Sequence, residues 1–123
     1  MQNLWQRGLG WLMLLLVWSH VNWASAQDWA KERLENSPRH GEWIVVEHDG
    51  RKVDAFVVYP EVSEKATAVV VIHEIFGLTD WVRGVADQLA EAGYIAIAPD
   101  LLSGAGPEGG NTSSFENVDA ARK

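Results

Sequence analysis

The chain contains no cysteine. That excludes disulfide staples, a thiol nucleophile and thiolate metal ligands within residues 1–123. Basic residues are scarce as well: ten Lys and Arg stand against 17 Asp and Glu, for a net charge of −7. A surface of that sign repels phosphate backbones and anionic lipid, so nucleic acid and acidic membrane are excluded as partners. Clustered histidine is missing too. His20, His40 and His48 stand apart, with no second ligand at metal spacing, and no metal is expected. No apolar run approaches the roughly 20 residues that a bilayer-spanning helix needs. No internal repeat is visible.

What is present begins with an apolar run, Leu9–Trp18, preceded by Arg7 and followed by Ala24-Ser25-Ala26. A positive start, a short apolar core and a small-x-small triplet read as a secretory signal peptide over residues 1–26. The expected mature chain starts at Gln27, is exported to the periplasm or the medium, and has no membrane contact after cleavage. It keeps all 17 acidic residues and loses one of the ten basic ones.

Residues 27–123 read as alternating elements. A short helix is expected from Asp28 to Asn36, stopped by Ser37-Pro38. Glu42–His48 and Lys52–Tyr59 are β-branched runs joined by Asp49-Gly50, a type I′ hairpin turn. Ala68–Ile72 is apolar throughout, as in a strand covered on both faces. Asp80 is the expected N-cap of the next helix. In that helix Val82, Val85, Ala86 and Leu89 form an apolar stripe, with Arg83 and Asp87 on the wet side. Gly84 within it is expected to allow close packing, and Gly93 to end it. Tyr94–Ala98 is the next buried strand.

A strand–helix–strand unit places its ligands beyond the carboxyl ends of the strands. The first of those ends carries His73-Glu74-Ile75-Phe76-Gly77. This is not a zinc helix, which needs a second His four residues on, where Gly77 stands. His73 itself reads as a strand-end imidazole bonded to backbone.

Residues 68–102 resemble the dienelactone hydrolase family. The matching pieces are His73-Glu74-Ile75-Phe76-Gly77, Val85-Ala86-Asp87-Gln88-Leu89-Ala90, Ala92-Gly93-Tyr94 and Ala98-Pro99-Asp100-Leu101. The resemblance covers about 60 residues from the hairpin onward. It implies an α/β fold: the N-terminal portion of an α/β-hydrolase sheet, a β-hairpin and then β-α-β, in a three-layer sandwich. It implies a hydrolase that opens a lactone or small ester through an acyl-enzyme, with water as co-substrate and no cofactor. It assigns Glu74 to proton management near the nucleophile, and the backbone N–H of Ile75 to the oxyanion hole. The family's Cys or Ser nucleophile, Asp and His have no counterpart in residues 1–123, so this chain alone is expected to be inactive. Lying among Ile72, Ile75 and Phe76, Glu74 is expected to be desolvated, with a raised pKa. In the family's strand order the 68–72 strand has one neighbour here and one side left open.

Three local patterns remain. Gly104-Ala-Gly-Pro-Glu-Gly109 fits G-x-G-x-x-G, but Pro107 and Gly110 continue it as loop, so a mobile loop near the site is expected rather than a dinucleotide fingerprint. Asn111-Thr-Ser113 is a glycosylation sequon by pattern and is taken as chance. Ser113-x-x-Glu116 is a capping box, which predicts a helix carrying Phe115, Val118 and Ala121. The domain is thus residues 27–123, the N-terminal part of a hydrolase. The alternative is an exported non-catalytic domain that binds a ligand or partner. The sequence does not set the oligomeric state.

Overall fold

The computed structural model describes residues 22–117 and 119–122. Arg7 and Leu9–Trp18 of the expected leader, and Val118, lie outside the described residues. Helix α1 covers Asn22–Glu35 and so starts earlier than expected, with Ala24-Ser25-Ala26 in its backbone. It is followed by β1 (Gly41–His48), β2 (Arg51–Val58), β3 (Ala68–Val70), α2 (Asp80–Glu91) and β4 (Ile95–Pro99).

The strands form one sheet in the order β1-β2-β4-β3. β2 is antiparallel to β1 and to β4, while β3 runs parallel to β4. The hairpin closes with His48 opposite Arg51, across Asp49 at φ 49° and Gly50 at φ 77°. Both central residues are left-handed, as a type I′ turn requires.

α2 lies on one sheet face. Val82, Ala86 and Ala90 of the helix, with Leu78 before it, meet Phe56, Val58, Ala96 and Ala98 of the sheet. The alanines let helix and sheet approach closely, and each larger aliphatic group buried there contributes about 1.5–3 kcal/mol. Thr79, not Asp80, is the N-cap residue; Asp80 opens the first turn and pairs with Arg83. At the other end Gly93 takes φ 97°. Its N–H donates to Ala90 O and that of Tyr94 to Leu89 O, which makes a Schellman cap on the expected glycine.

α1 packs against α2, and here two expectations fail. Asp87 is not on a wet face: it is 1% exposed, under the Ser37–Arg39 segment. Arg39 donates to it from Nε at 2.9 Å and from Nη2 at 2.7 Å, and Ser37 donates its hydroxyl proton. Arg33 lies 3.6 Å away. Burial alone pushes the Asp87 carboxyl up. The hydrogen bonds from Arg39 and Ser37 and the charges of Arg39 and Arg33 outweigh it and hold the group below the ordinary aspartate range. Gly84 is buried against Ala30, but a Cβ there would sit 3.8 Å from Ala30 Cβ, an ordinary contact. Space therefore does not demand the glycine.

The sheet and one helical layer account for the described core. β3 has no second neighbour among the described residues, and Val70 is 62% exposed. The covering on both faces inferred from its apolar run is not supplied by these residues. The helix expected after Ser113 does not form. Instead Asn111 caps a short 3-10 turn, Thr112–Ser114, and Phe115 is extended at ψ 137°. The Asn111 side chain takes the Ser113 N–H, and the Ser114 hydroxyl takes the Asn111 N–H. Such local side-chain bonds compete with helix propagation.

Candidate functional site

β3 and β4 run parallel, so their carboxyl ends emerge side by side, Val70 opposite Ile97. One further ladder bond, from Val71 N–H to Ile97 O at 2.8 Å, closes the pairing. Beyond it His73-Glu74-Ile75 leaves one strand and Asp100-Leu101 leaves the other.

The segment after β3 is a tight turn. Gly77 N–H donates to Glu74 O at 3.2 Å and Phe76 N–H to Glu74 Oε2 at 3.3 Å. Leu78 N–H donates to Thr112 Oγ1 at 2.9 Å, and Thr79 N–H to Gly77 O at 3.0 Å. Gly77 holds φ 79°, and a Cβ there would overlap the Thr112 side chain. Both the backbone angle and the close approach require glycine. Ile75 is different: its N–H donates to no acceptor among the described residues, and the residue is 61% exposed.

Asp100 anchors the opposite wall. It is 1% exposed. It accepts from Leu102 N–H at 3.0 Å, Thr112 N–H at 2.9 Å and Thr112 Oγ1–H at 2.7 Å. Thr112 therefore joins two segments: its hydroxyl donates to Asp100 and accepts from Leu78. Asn111 Nδ2 adds a bond to Asp54 Oδ2 at 2.6 Å. The Gly-rich loop lies between these residues. Gly110 O accepts from Gly104 N–H at 2.9 Å and from Gly106 N–H at 3.0 Å, which closes it on itself.

His73 behaves as the sequence suggests and makes one bond more. Nδ1 is 2.7 Å from Glu74 O, and Nε2 accepts the Leu101 N–H at 2.9 Å. Glu74 and Ile75 stand together at the strand end, but among the described residues no desolvating pocket forms around Glu74. Glu74 is exposed, and Ile72 is 62% exposed. These residues run past the sheet edge, where no described element covers them. Asp100 and Thr112 had no role in the sequence reading. Asp100 stands in the Ala-Pro-Asp-Leu string, which could have flagged it. Thr112 lies in an aperiodic loop and gave no signal.

A pocket of about 630 Å³ adjoins the Asp100 wall: Leu78, Asp100 and Thr112 line it together with Trp43, Asp80 and Arg83, while neither Glu74 nor Ile75 does. Arg83 is held there by Asp80, 5.5 Å from the ring centres of Trp43 and Phe56. Among the described residues no three His, Asp or Glu side chains gather as a metal site.

The comparisons with known proteins converge. A model of the dienelactone hydrolase family matches residues 53–122. A protein of Saccharolobus solfataricus, provisionally named a carboxymethylenebutenolidase, is 45% identical over 60 residues, 49% of this chain and 23% of that protein. The hydrolase fragment YghX of Escherichia coli K12, also provisionally named, is 48% identical over 61 residues, 49% of this chain and 52% of that protein. The match thus spans between about a quarter and a half of these two relatives. A crystal structure from Klebsiella pneumoniae, titled provisionally as a dienelactone hydrolase, superposes with TM-score 0.54 at 24% identity, over 68% of this chain and 33% of that one.

Proposed function

The chain belongs to the dienelactone hydrolase family, and on that premise we propose that it contributes the β3 wall of an active site that hydrolyses a lactone or small ester through a covalent acyl-enzyme. The observation that carries the reading is the turn after β3. Four successive amides, from Phe76 to Thr79, are engaged by acceptors within the fold, while the Ile75 N–H before them is left over at the carboxyl end of a parallel strand. A fixed donor there suits the charge that develops on the carbonyl oxygen during acyl transfer. Losing one such donor costs about 10²–10³ in rate.

Glu74 is the proton acceptor of this proposal. Among the described residues its carboxylate accepts the Phe76 N–H, and the residue is exposed. It is available to a nucleophile brought beside it. A serine hydroxyl or cysteine thiol would hand its proton to this group or to a partner base and attack the carbonyl; the acyl C–O bond breaks and the alkoxide takes that proton, and water then cleaves the acyl-enzyme, freeing the acid and reprotonating the nucleophile. No step calls for a cofactor, and the substrate is a lactone or small ester.

The test is esterase kinetics on the protein expressed from its complete gene, with p-nitrophenyl acetate and a dienelactone. Glu74→Gln keeps the shape and removes the basicity. We expect kcat/KM to fall by roughly 10²–10⁴, with the thermal transition unchanged. An unaltered rate and pH profile would reduce Glu74 to a surface carboxylate. Export is part of the same proposal, carried by Arg7, Leu9–Trp18 and Ala24-Ser25-Ala26. N-terminal sequencing of secreted or periplasmic protein should begin at Gln27; an intact Met1 in the soluble cell fraction would contradict it.

A further inference from the structure

We propose that His73 is a positioning residue that aims and polarises the Ile75 N–H; the proposal deepens the oxyanion reading above and rests on it. Glu74 C=O and Ile75 N–H belong to one peptide unit. No peptide bond described is cis, so the two groups point in opposite directions across a rigid plane. Whatever holds Glu74 O from behind aims the Ile75 N–H in front. Two donors hold that oxygen, His73 Nδ1 at 2.7 Å and Gly77 N–H at 3.2 Å.

The ring has one tautomer in this setting. A backbone N–H can only donate, so Nε2, which receives the Leu101 N–H, is the bare nitrogen, and Nδ1 carries the proton. Asp100 Oδ1 is 3.8 Å from Nε2, beyond hydrogen-bond reach, and is already bonded to Leu102 N–H and Thr112 Oγ1. The side chain is 5% exposed, so water does not compete for either nitrogen. The result is a directed relay: Leu101 N–H to Nε2, then Nδ1–H to Glu74 O, then Ile75 N–H outward. Each bond in such a chain strengthens the next by about 10–30%. The relay ties the donor on one strand end to the backbone of the other.

The test uses the protein expressed from its complete gene. His73→Asn keeps a donor where Nδ1 stands; His73→Gln keeps an acceptor where Nε2 stands; His73→Phe keeps only the ring. For each, kcat and KM on p-nitrophenyl acetate are measured, with Tm. The ¹⁵N–¹H signal of Ile75 is followed with and without a trifluoromethyl ketone, which adds to serine or cysteine nucleophiles as a tetrahedral oxyanion. We expect Phe and Gln to lower kcat roughly tenfold or more, short of the 10²–10³ that losing the whole donor costs. KM should hold and Asn should restore most of the rate. Three unchanged rates, with the parent's Ile75 signal moving on ketone binding, would overturn the positioning role and leave the oxyanion reading standing. An Ile75 signal unmoved in the parent would overturn both. Equal losses in all three variants, tracking a fall in Tm, would make His73 a packing residue and overturn the proposal.

Discussion

Two buried aspartates divide this molecule. Asp87 and Asp100 are each 1% exposed, and each is fully hydrogen-bonded. Asp87 meets charge: two arginines and a serine from the segment that follows and includes α1. Asp100 meets neutral donors from the loop beyond β4, two backbone N–H groups and a hydroxyl. A buried carboxylate can be satisfied either way, but the consequences differ. Breaking a buried ion pair leaves an uncompensated charge, whereas losing a neutral donor leaves one polar group short. The α1–α2 clamp should therefore govern stability and its pH dependence. The strand-end network should govern geometry at the candidate site.

The contrast breaks most visibly at the clamp. Asp87→Ala leaves the largely buried Arg39 guanidinium without its carboxylate and should cost about 3–5 kcal/mol, read by urea unfolding. Because the folded pKa of Asp87 is depressed, its stabilisation is complete above the unfolded aspartate value, about 3.9, and is lost as pH falls through the lower folded value. The parent should lose stability on acidification more steeply than Asp87→Asn. Parallel pH profiles would mean that Asp87 is not charged in the fold.

A smaller effect sharpens the other side. Thr112→Val removes the hydroxyl that joins Leu78 N–H to Asp100 and leaves both short of a partner. It should cost about 1–3 kcal/mol. In the protein expressed from its complete gene it should lower kcat by more than its stability loss explains, since Leu78 anchors the turn that carries Ile75. A drop in stability with kcat intact would separate the loop from the site.

How far the sequence reached follows the same division. The Asp49-Gly50 turn, the Gly93 cap and the Val82–Ala86 stripe are local, and their residues announce them. Gly93 in particular is required by its positive φ, and its place after an apolar stripe marks it. Asp87 misleads because its partner Arg39 is 48 residues away, and helical spacing offered Arg83 instead. Arg83 turned to Asp80 and to the faces of Trp43 and Phe56. The capping box at Ser113 failed because Asn111 captured that turn first. At the candidate site the His73-Glu74-Ile75 string was legible as chemistry. The environment of Glu74 was not, because burial depends on what stands across the open edge of β3, and apolar neighbours in sequence do not supply it.

The turn after β3 is locked from behind, while the Ile75 N–H meets no acceptor among the described residues. Native-state hydrogen exchange on the ¹⁵N-labelled protein tests this amide by amide. Leu78, Leu101 and Thr112, whose N–H groups are held by Thr112 Oγ1, His73 Nε2 and Asp100 Oδ2, should exchange orders of magnitude more slowly than Ile75. An Ile75 amide as protected as those three, or three amides exchanging as fast as Ile75, would contradict a locked turn with a free Ile75 N–H.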